Sequence, residues 1–146
     1  MNDLSQVEIL LVEDSAADAE MTLRTLKRRG IANHIEWVRD GVEAIDFLFR
    51  EGAWSQRRDT HPRLVLLDLK MPRMDGLQVL ERLKGDERTR TIPVVMMTSS
   101  REEGDLLASY NLGVNSFIVK PVEFAEFAEK VAEVGMYWML ANQAPR

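Results

Sequence analysis

Three acids, a hydroxyl and a lysine stand at the ends of apolar runs in this chain. Glu13 and Asp14 close the run from Val7 to Val12, and Asp68 closes Leu64 to Leu67. Thr98 follows Ile92 to Met97, and Lys120 follows Ser116 to Val119. Carboxylates brought close together repel, and they ionise together only if a cation joins them or one takes up a proton. A donor set of oxygens, with no nitrogen or sulfur, suits Mg²⁺, which commonly bridges protein carboxylates to a phosphate. Lys120 would add a fixed positive charge and Thr98 a hydroxyl donor, the surroundings that a phosphoryl group with three anionic oxygens requires. Asp68 itself could be the nucleophile, giving an aspartyl phosphate. Plainer readings exist for each residue singly: the acids as N-caps, the lysine as a surface residue, the hydroxyls as a turn. Their joint placement at strand ends favours the site.

Such a site needs elements that bring those ends together. The run Leu64-Val65-Leu66-Leu67 reads as a strand buried on both faces, as in a parallel sheet covered by helices, and the turn signals Met71-Pro72 and Asp75-Gly76 follow it. Val7 to Val12 is a second such strand. Ser15 and Asp18 then have the spacing of a capping box, with Asp in place of Glu, ahead of Ala19, Leu23 and Leu26 on one helical face. Lys27, Arg28, Arg29 and Gly30 supply a cationic last turn and a glycine stop. Asn33 to Val38 alternates only partly and is expected at an edge. Asp40 and Glu43 open a helix carrying Val42, Ile45, Leu48 and Phe49 and stopping at Gly52.

Ala53 to Pro62 is a polar, basic connection containing Trp54. Asp75 and Gln78 begin a third helix with Leu77, Leu80 and Leu83 expected to face inward, and Ser100 and Glu103 cap a fourth with Leu106, Leu107 and Tyr110. Phe124, Phe127, Val131, Val134 and Trp138 recur by three and four on a last helix. Strand and helix patterns thus alternate five times, which predicts a doubly wound α/β domain with a parallel sheet. Right-handed crossovers place all five strand ends on one edge. If the strand order is 2-1-3-4-5, strands 1 and 3 flank the point where the winding reverses, and the three acids share one crevice.

The bulk properties narrow the function. A chain of 146 residues, 45% hydrophobic and 29% charged, fits one domain over residues 1–146, with a core from about 7 to 140 and a frayed tail over 141–146. A net charge of −5 disfavours a non-specific nucleic-acid role. No apolar run approaches the ~20 residues of a membrane span, and the amino terminus lacks the regions of a signal peptide, so a cytoplasmic location is expected. The absence of cysteine excludes disulfides, thiolate metal sites and cysteine nucleophiles. His34 and His61 have no helical i, i+4 partner and read as surface or loop residues.

At Leu11-Val12-Glu13-Asp14, Leu66-Leu67-Asp68-Leu69-Lys70-Met71-Pro72 with Asp75-Gly76, Thr98-Ser99-Ser100 and Phe117-Ile118-Val119-Lys120-Pro121, the chain resembles the receiver domains of two-component response regulators. The resemblance runs from about Glu8 to Trp138 and implies a flavodoxin-like (βα)5 receiver fold. It implies a signalling protein rather than an enzyme, one that assists its own phosphotransfer and dephosphorylation. Asp68 would be the phosphoacceptor, supplied by a phosphohistidine on a sensor histidine kinase. Asp14 would bind Mg²⁺ directly, Glu13 through water, and the main-chain carbonyl of Lys70 would complete the protein ligands. Thr98 and Lys120 would hold the phosphoryl oxygens. Phe117 occupies the family's switch-aromatic position, turning inward as Thr98 is drawn to the phosphate and reshaping the face made by the fourth helix, fifth strand and fifth helix. The alternative for Phe117 is a plain core aromatic.

The connection Arg50 to Arg63, the stretch Ser109 to Phe117 and the ending Tyr137-Trp138-Met139-Leu140 also resemble the small regulators that partner phytochrome-type kinases. In that subgroup homodimers through the same helix–strand–helix face occur, and Tyr137 and Trp138 either extend such an interface or finish the core. Glu13-Asp14 replaces the commoner pair of aspartates. Lys70 and Ser100 are expected to tune the lifetime of the aspartyl phosphate.

Three rivals are weaker. A haloacid-dehalogenase-type phosphatase needs a second acid where Lys70 stands, and a dinucleotide-binding domain needs a G-x-G-x-x-G that Leu11 to Ala16 does not supply. A pseudo-receiver would not need the full set Glu13, Asp14, Asp68, Thr98 and Lys120. No DNA-binding helix-turn-helix is expected after the last helix, so output is expected through a protein contact, a change of oligomeric state, or onward transfer of the phosphoryl group.

Overall fold

The computed structural model describes residues 7–31, 34–58, 60–109, 113–114 and 116–136, with no side-chain description at 107–109. Five strands and five helices alternate along it. They are β1 (Ile9–Val12), α1 (Ala16–Arg28), β2 (Ile35–Val38), α2 (Gly41–Phe49), β3 (Leu64–Asp68), α3 (Gly76–Lys84), β4 (Val94–Thr98), α4 (Arg101–Ser109), β5 (Ser116–Val119) and α5 (Phe124–Glu133). The sheet is parallel with order β2-β1-β3-β4-β5, as the flavodoxin-like expectation requires. Among the described residues no helix is long and apolar enough to cross a membrane.

Every residue of β1, β3 and β4 is buried, whereas β2 and β5 are partly exposed. Central strands have helices on both sides, and edge strands have one open flank. Because successive side chains point to opposite faces, the sheet divides two cores. Leu10, Val12, Val65, Leu67, Val94 and Met96 meet Phe47 and Leu48 of α2 and Val79, Leu80 and Leu83 of α3. Ile9, Leu11, Leu64, Leu66, Val95 and Met97 meet Ala19 and Leu26 of α1 and Phe127 and Val131 of α5.

The caps follow the sequence with local departures. Asp75 and Gln78 form a complete capping box on α3, and the Ser15, Asp40 and Ser100 side chains accept from the backbone N–H three residues on. Gly52 does not end α2. The helix stops at Phe49, with Arg50 in the left-handed region (φ 56°) and the Glu51 N–H donating back to the Asp46 carbonyl at 2.8 Å, while Gly52 opens a short 3-10 turn through Trp54. Leu77 does not face inward. The buried stripe of α3 is Gly76, Val79, Leu80 and Leu83, and Leu77, about 60° beyond Leu80 around the helix, is 37% exposed. Tyr110, Tyr137, Trp138, Asn33, the residues before 7 and the tail lie outside the described residues, so the expectations resting on them are not addressed by the fold.

Candidate functional site

The register of the sheet gathers the chemistry. Val12 pairs with Leu67, Asp68 with Met97, and Thr98 with Val119, so Glu13, Asp68, Thr98 and Lys120 emerge at one carboxyl edge. The Lys120 N–H donates to the Thr98 carbonyl (2.8 Å), and the Glu13 N–H donates to that of Val38 (3.1 Å). The β3–α3 connection folds tightly over this edge. Its Gly76 stands where a Cβ would lie 2.3 Å from the Asp68 carbonyl oxygen and 2.9 Å from Leu69 Cα, and the Gly76 N–H donates to the Leu69 carbonyl at 2.8 Å. Arg73, in the left-handed region (φ 65°), is held by the Asp40 carboxylate through Nε at 3.0 Å. The loop that carries the Lys70 carbonyl is therefore fixed at both ends.

Glu13, Asp68 and Thr98 are buried, and Asp14 is exposed. Ligand oxygens of Glu13, Asp14 and Asp68 lie within 4.8 Å of one another, so the cluster could hold a metal ion. The donors are hard carboxylate oxygens with one exposed member, and that fits a hydrated divalent cation. The cleft over them has a volume of about 170 Å³.

Lys120 threads between the acids. Its Nζ lies 3.1 Å from Glu13 Oε1, 3.1 Å from Asp18 Oδ2 and 3.4 Å from Asp68 Oδ1. Burial opposes its charge, but these three carboxylates outweigh burial and hold its pKa above the ordinary lysine value. Burial, together with hydrogen bonding to and the charge of Glu13, pushes the Asp68 carboxyl up to about 7, with Lys120 pulling the other way. One lysine does not neutralise the pocket, and Asp68 is left responsive to any added positive charge.

Two functional neighbours were missed in the sequence. Asp18 has its N–H capped by Ser15 as expected, but its carboxylate turns to Lys120 rather than completing the box. Glu103 likewise has its N–H capped by Ser100, while its carboxylate accepts from Thr98 Oγ1 at 2.8 Å and Ser99 Oγ at 3.3 Å and pairs with Lys70 Nζ at 2.7 Å. Helices that leave the carboxyl edge present their first turn to the crevice, and an acid there is the signal that could have marked both. Phe117 is half-buried against the α2–α3 core, its ring directly beneath Gly104 of α4. His34 lies 3.5 Å from Glu36, and neither histidine lines the cleft.

A doubly wound sheet with acids clustered at its switch point defines a small class of proteins, and the chain's relatives fix which one. Residues 9–132 match the response regulator receiver domain, and the chain belongs to that family. The family is one of signalling proteins rather than conventional enzymes. The chain is 43% identical over 138 residues to the probable methanogenesis regulatory protein FilR2 of Methanothrix harundinacea, covering 94% of this chain and 86% of the relative. It superposes on the solved bacteriophytochrome response regulator AtBRR with a TM-score of 0.87 at 50% identity, over 91% of this chain and 95% of that one. The Mn²⁺-bound form of Rcp1 from Synechocystis is similar at 35% identity and a TM-score of 0.72, over 96% and 99% of the two chains. The chain carries a receiver domain related to phytochrome response regulators.

Proposed function

We propose that this chain is a cytoplasmic response regulator whose receiver domain takes a phosphoryl group on Asp68 from a sensor histidine kinase of the phytochrome type. The observation that carries the reading is the setting of Asp68. It is a buried strand-end carboxylate with Lys120 at 3.4 Å and the Glu13 and Asp14 oxygens within 4.8 Å. The kinase partner rests on the likeness to bacteriophytochrome regulators.

An Asp68 oxygen attacks phosphorus, the P–N bond of the phosphohistidine breaks, and the imidazole leaves with the electron pair. Glu13, Asp14, Asp68 and the Lys70 carbonyl would hold Mg²⁺, which when bound offsets charge on the phosphoryl oxygens and favours the ionised form of Asp68. Lys120 and the Thr98 hydroxyl take the remaining phosphoryl oxygens. For Thr98 this means leaving its present acceptors, Glu103 Oε1 and the Ser100 carbonyl at 3.2 Å. Phe117 packs against α4 through Gly104, so movement of Thr98 and α4 is passed to the α4-β5-α5 face. That face is the surface we assign to a homodimer, with output through protein contact rather than nucleic acid or membrane. Lys70, which lines the cleft, and Ser100, bonded to Thr98 and Glu103, set how long the phosphate survives.

The test is to incubate the protein with acetyl phosphate, with and without Mg²⁺, beside Asp68→Asn, and to weigh each intact by mass spectrometry. One Mg²⁺-dependent phosphoryl group on the wild type alone is expected. Absence of both phosphorylation and Mg²⁺ binding would move the chain to the pseudo-receivers.

A further inference from the structure

Glu103 occupies an unusual position for a helix-capping acid. Its carboxylate spans the cleft mouth, one oxygen on Thr98 and Ser99 from the β4–α4 turn and the other on Lys70 from the β3–α3 loop. The lysine is 75% exposed along its side chain, and an ion pair of that kind alone contributes little. The bond from Thr98 is different in kind. Its donor is 1% exposed, its acceptor is ionised, and charge-assisted hydrogen bonds are shorter and stronger than neutral ones. Lys70 and then Thr98 hold the Glu103 carboxyl below the usual carboxylate range, against a smaller opposing effect of burial.

Lys70 lines the cleft with Asp68, and Thr98 directly follows Met97, the residue paired with Asp68 across the sheet. A dianionic phosphoryl group formed there competes with the Glu103 carboxylate for both and repels it. The next residue in the chain, Gly104, is the one whose missing Cβ would sit 2.2 Å from the Phe117 ring. Displacement of Glu103 therefore moves the backbone that lies on the aromatic.

We propose that Glu103 is a positioning residue that latches the unphosphorylated state: it holds Thr98 and Lys70 away from the acceptor, and the phosphoryl group releases it. The inference rests on the reading of Asp68 as phosphoacceptor, and it adds a residue of this chain that sets the inactive-to-active balance.

The test uses Glu103→Gln and Glu103→Ala in the full chain, with thermal unfolding to confirm folding. At limiting acetyl phosphate and saturating Mg²⁺, the phosphorylated fraction is expected to rise about three- to tenfold, the net scale of one intramolecular hydrogen bond. In the Thr98→Val background the same substitutions should have little effect, because the hydroxyl the latch holds is gone. A change of capping alone would not produce a second expected signature: amide resonances of Thr98, Gly104 and Phe117 in unphosphorylated Glu103→Gln shifted part-way toward those of the phosphorylated wild type. If the wild type gains a phosphoryl group on Asp68 while both variants match it in phosphorylated fraction and resonance positions, the latch is wrong and the acceptor stands. If the wild type gains none, the reading of Asp68 fails and the latch falls with it. Should Glu103→Ala not fold, Glu103→Gln carries the same outcomes.

Discussion

Asp68→Asn should stabilise the metal-free protein, and by an amount that grows with pH. The carboxyl titrates near 7 in the fold against 3.8 as a free side chain, through burial first and the neighbouring Glu13 second. Below pH ~4 the acid is protonated in both states and its titration has no effect. Between ~4 and ~7 the unfolded chain has released the proton and the folded chain has kept it, so stability falls by about 1.4 kcal/mol per pH unit. Above ~7 the loss is complete, with a ceiling of about 4 kcal/mol over the roughly three-unit gap. Asparagine has nearly the same shape and no such titration. Any change in its contact with Lys120 is a constant offset, since Lys120 keeps Glu13 and Asp18.

Between pH 5.5 and pH 8 the variant should therefore gain about 2 kcal/mol over the wild type. For a domain of this size that is about 6 °C in Tm. The assay is thermal unfolding of both proteins in EDTA at several pH values, following circular dichroism. Saturating Mg²⁺ should close part of the gap at pH 8, because a ligand of the folded state stabilises the wild type. A Tm difference that stayed flat across this range, or shrank toward pH 8, would refute the electrostatic account of the cleft.

Lys120→Met leaves the buried Glu13 without its cation and should cost about 3–5 kcal/mol at pH 8 in urea unfolding, less at pH 5.5 as Asp68 takes up a proton. Gly76→Ala drives a Cβ into two backbone atoms, the Asp68 oxygen and Leu69 Cα. Because neither can rotate away, a loss above about 2 kcal/mol with weakened Mg²⁺ binding is expected, and wild-type stability would contradict the tight β3–α3 loop. Trp37 donates its indole N–H to the Glu13 main-chain carbonyl at 2.8 Å, so Mg²⁺ should change the intrinsic fluorescence. Trp37→Phe should remove most of that change.

The local physics of this chain was written in its residues. Apolar runs alternating with capped amphipathic stretches define five strands and five helices, because periodicity and N-capping depend on neighbours three or four residues away. Right-handed crossovers then oblige the strand ends to share an edge, which is why Glu13, Asp14, Asp68, Thr98 and Lys120 could be grouped before any contact was known. Direction beyond the backbone was not legible. Asp18 and Glu103 read as capping partners because their N–H groups are capped, but their carboxylates follow charges brought near by tertiary packing, Lys120 from 102 residues on and Lys70 from another loop. Leu77 and Arg50 escaped for related reasons, since the width of a buried stripe and the residue that turns left-handed at a helix end depend on what packs opposite. The order of elements and the chemical groups at the carboxyl edge follow from residue types and their local spacing. The sharing of one lysine by three acids and the hold of Glu103 on Thr98 come from packing, because each arises from the register and stacking of segments brought together by the fold.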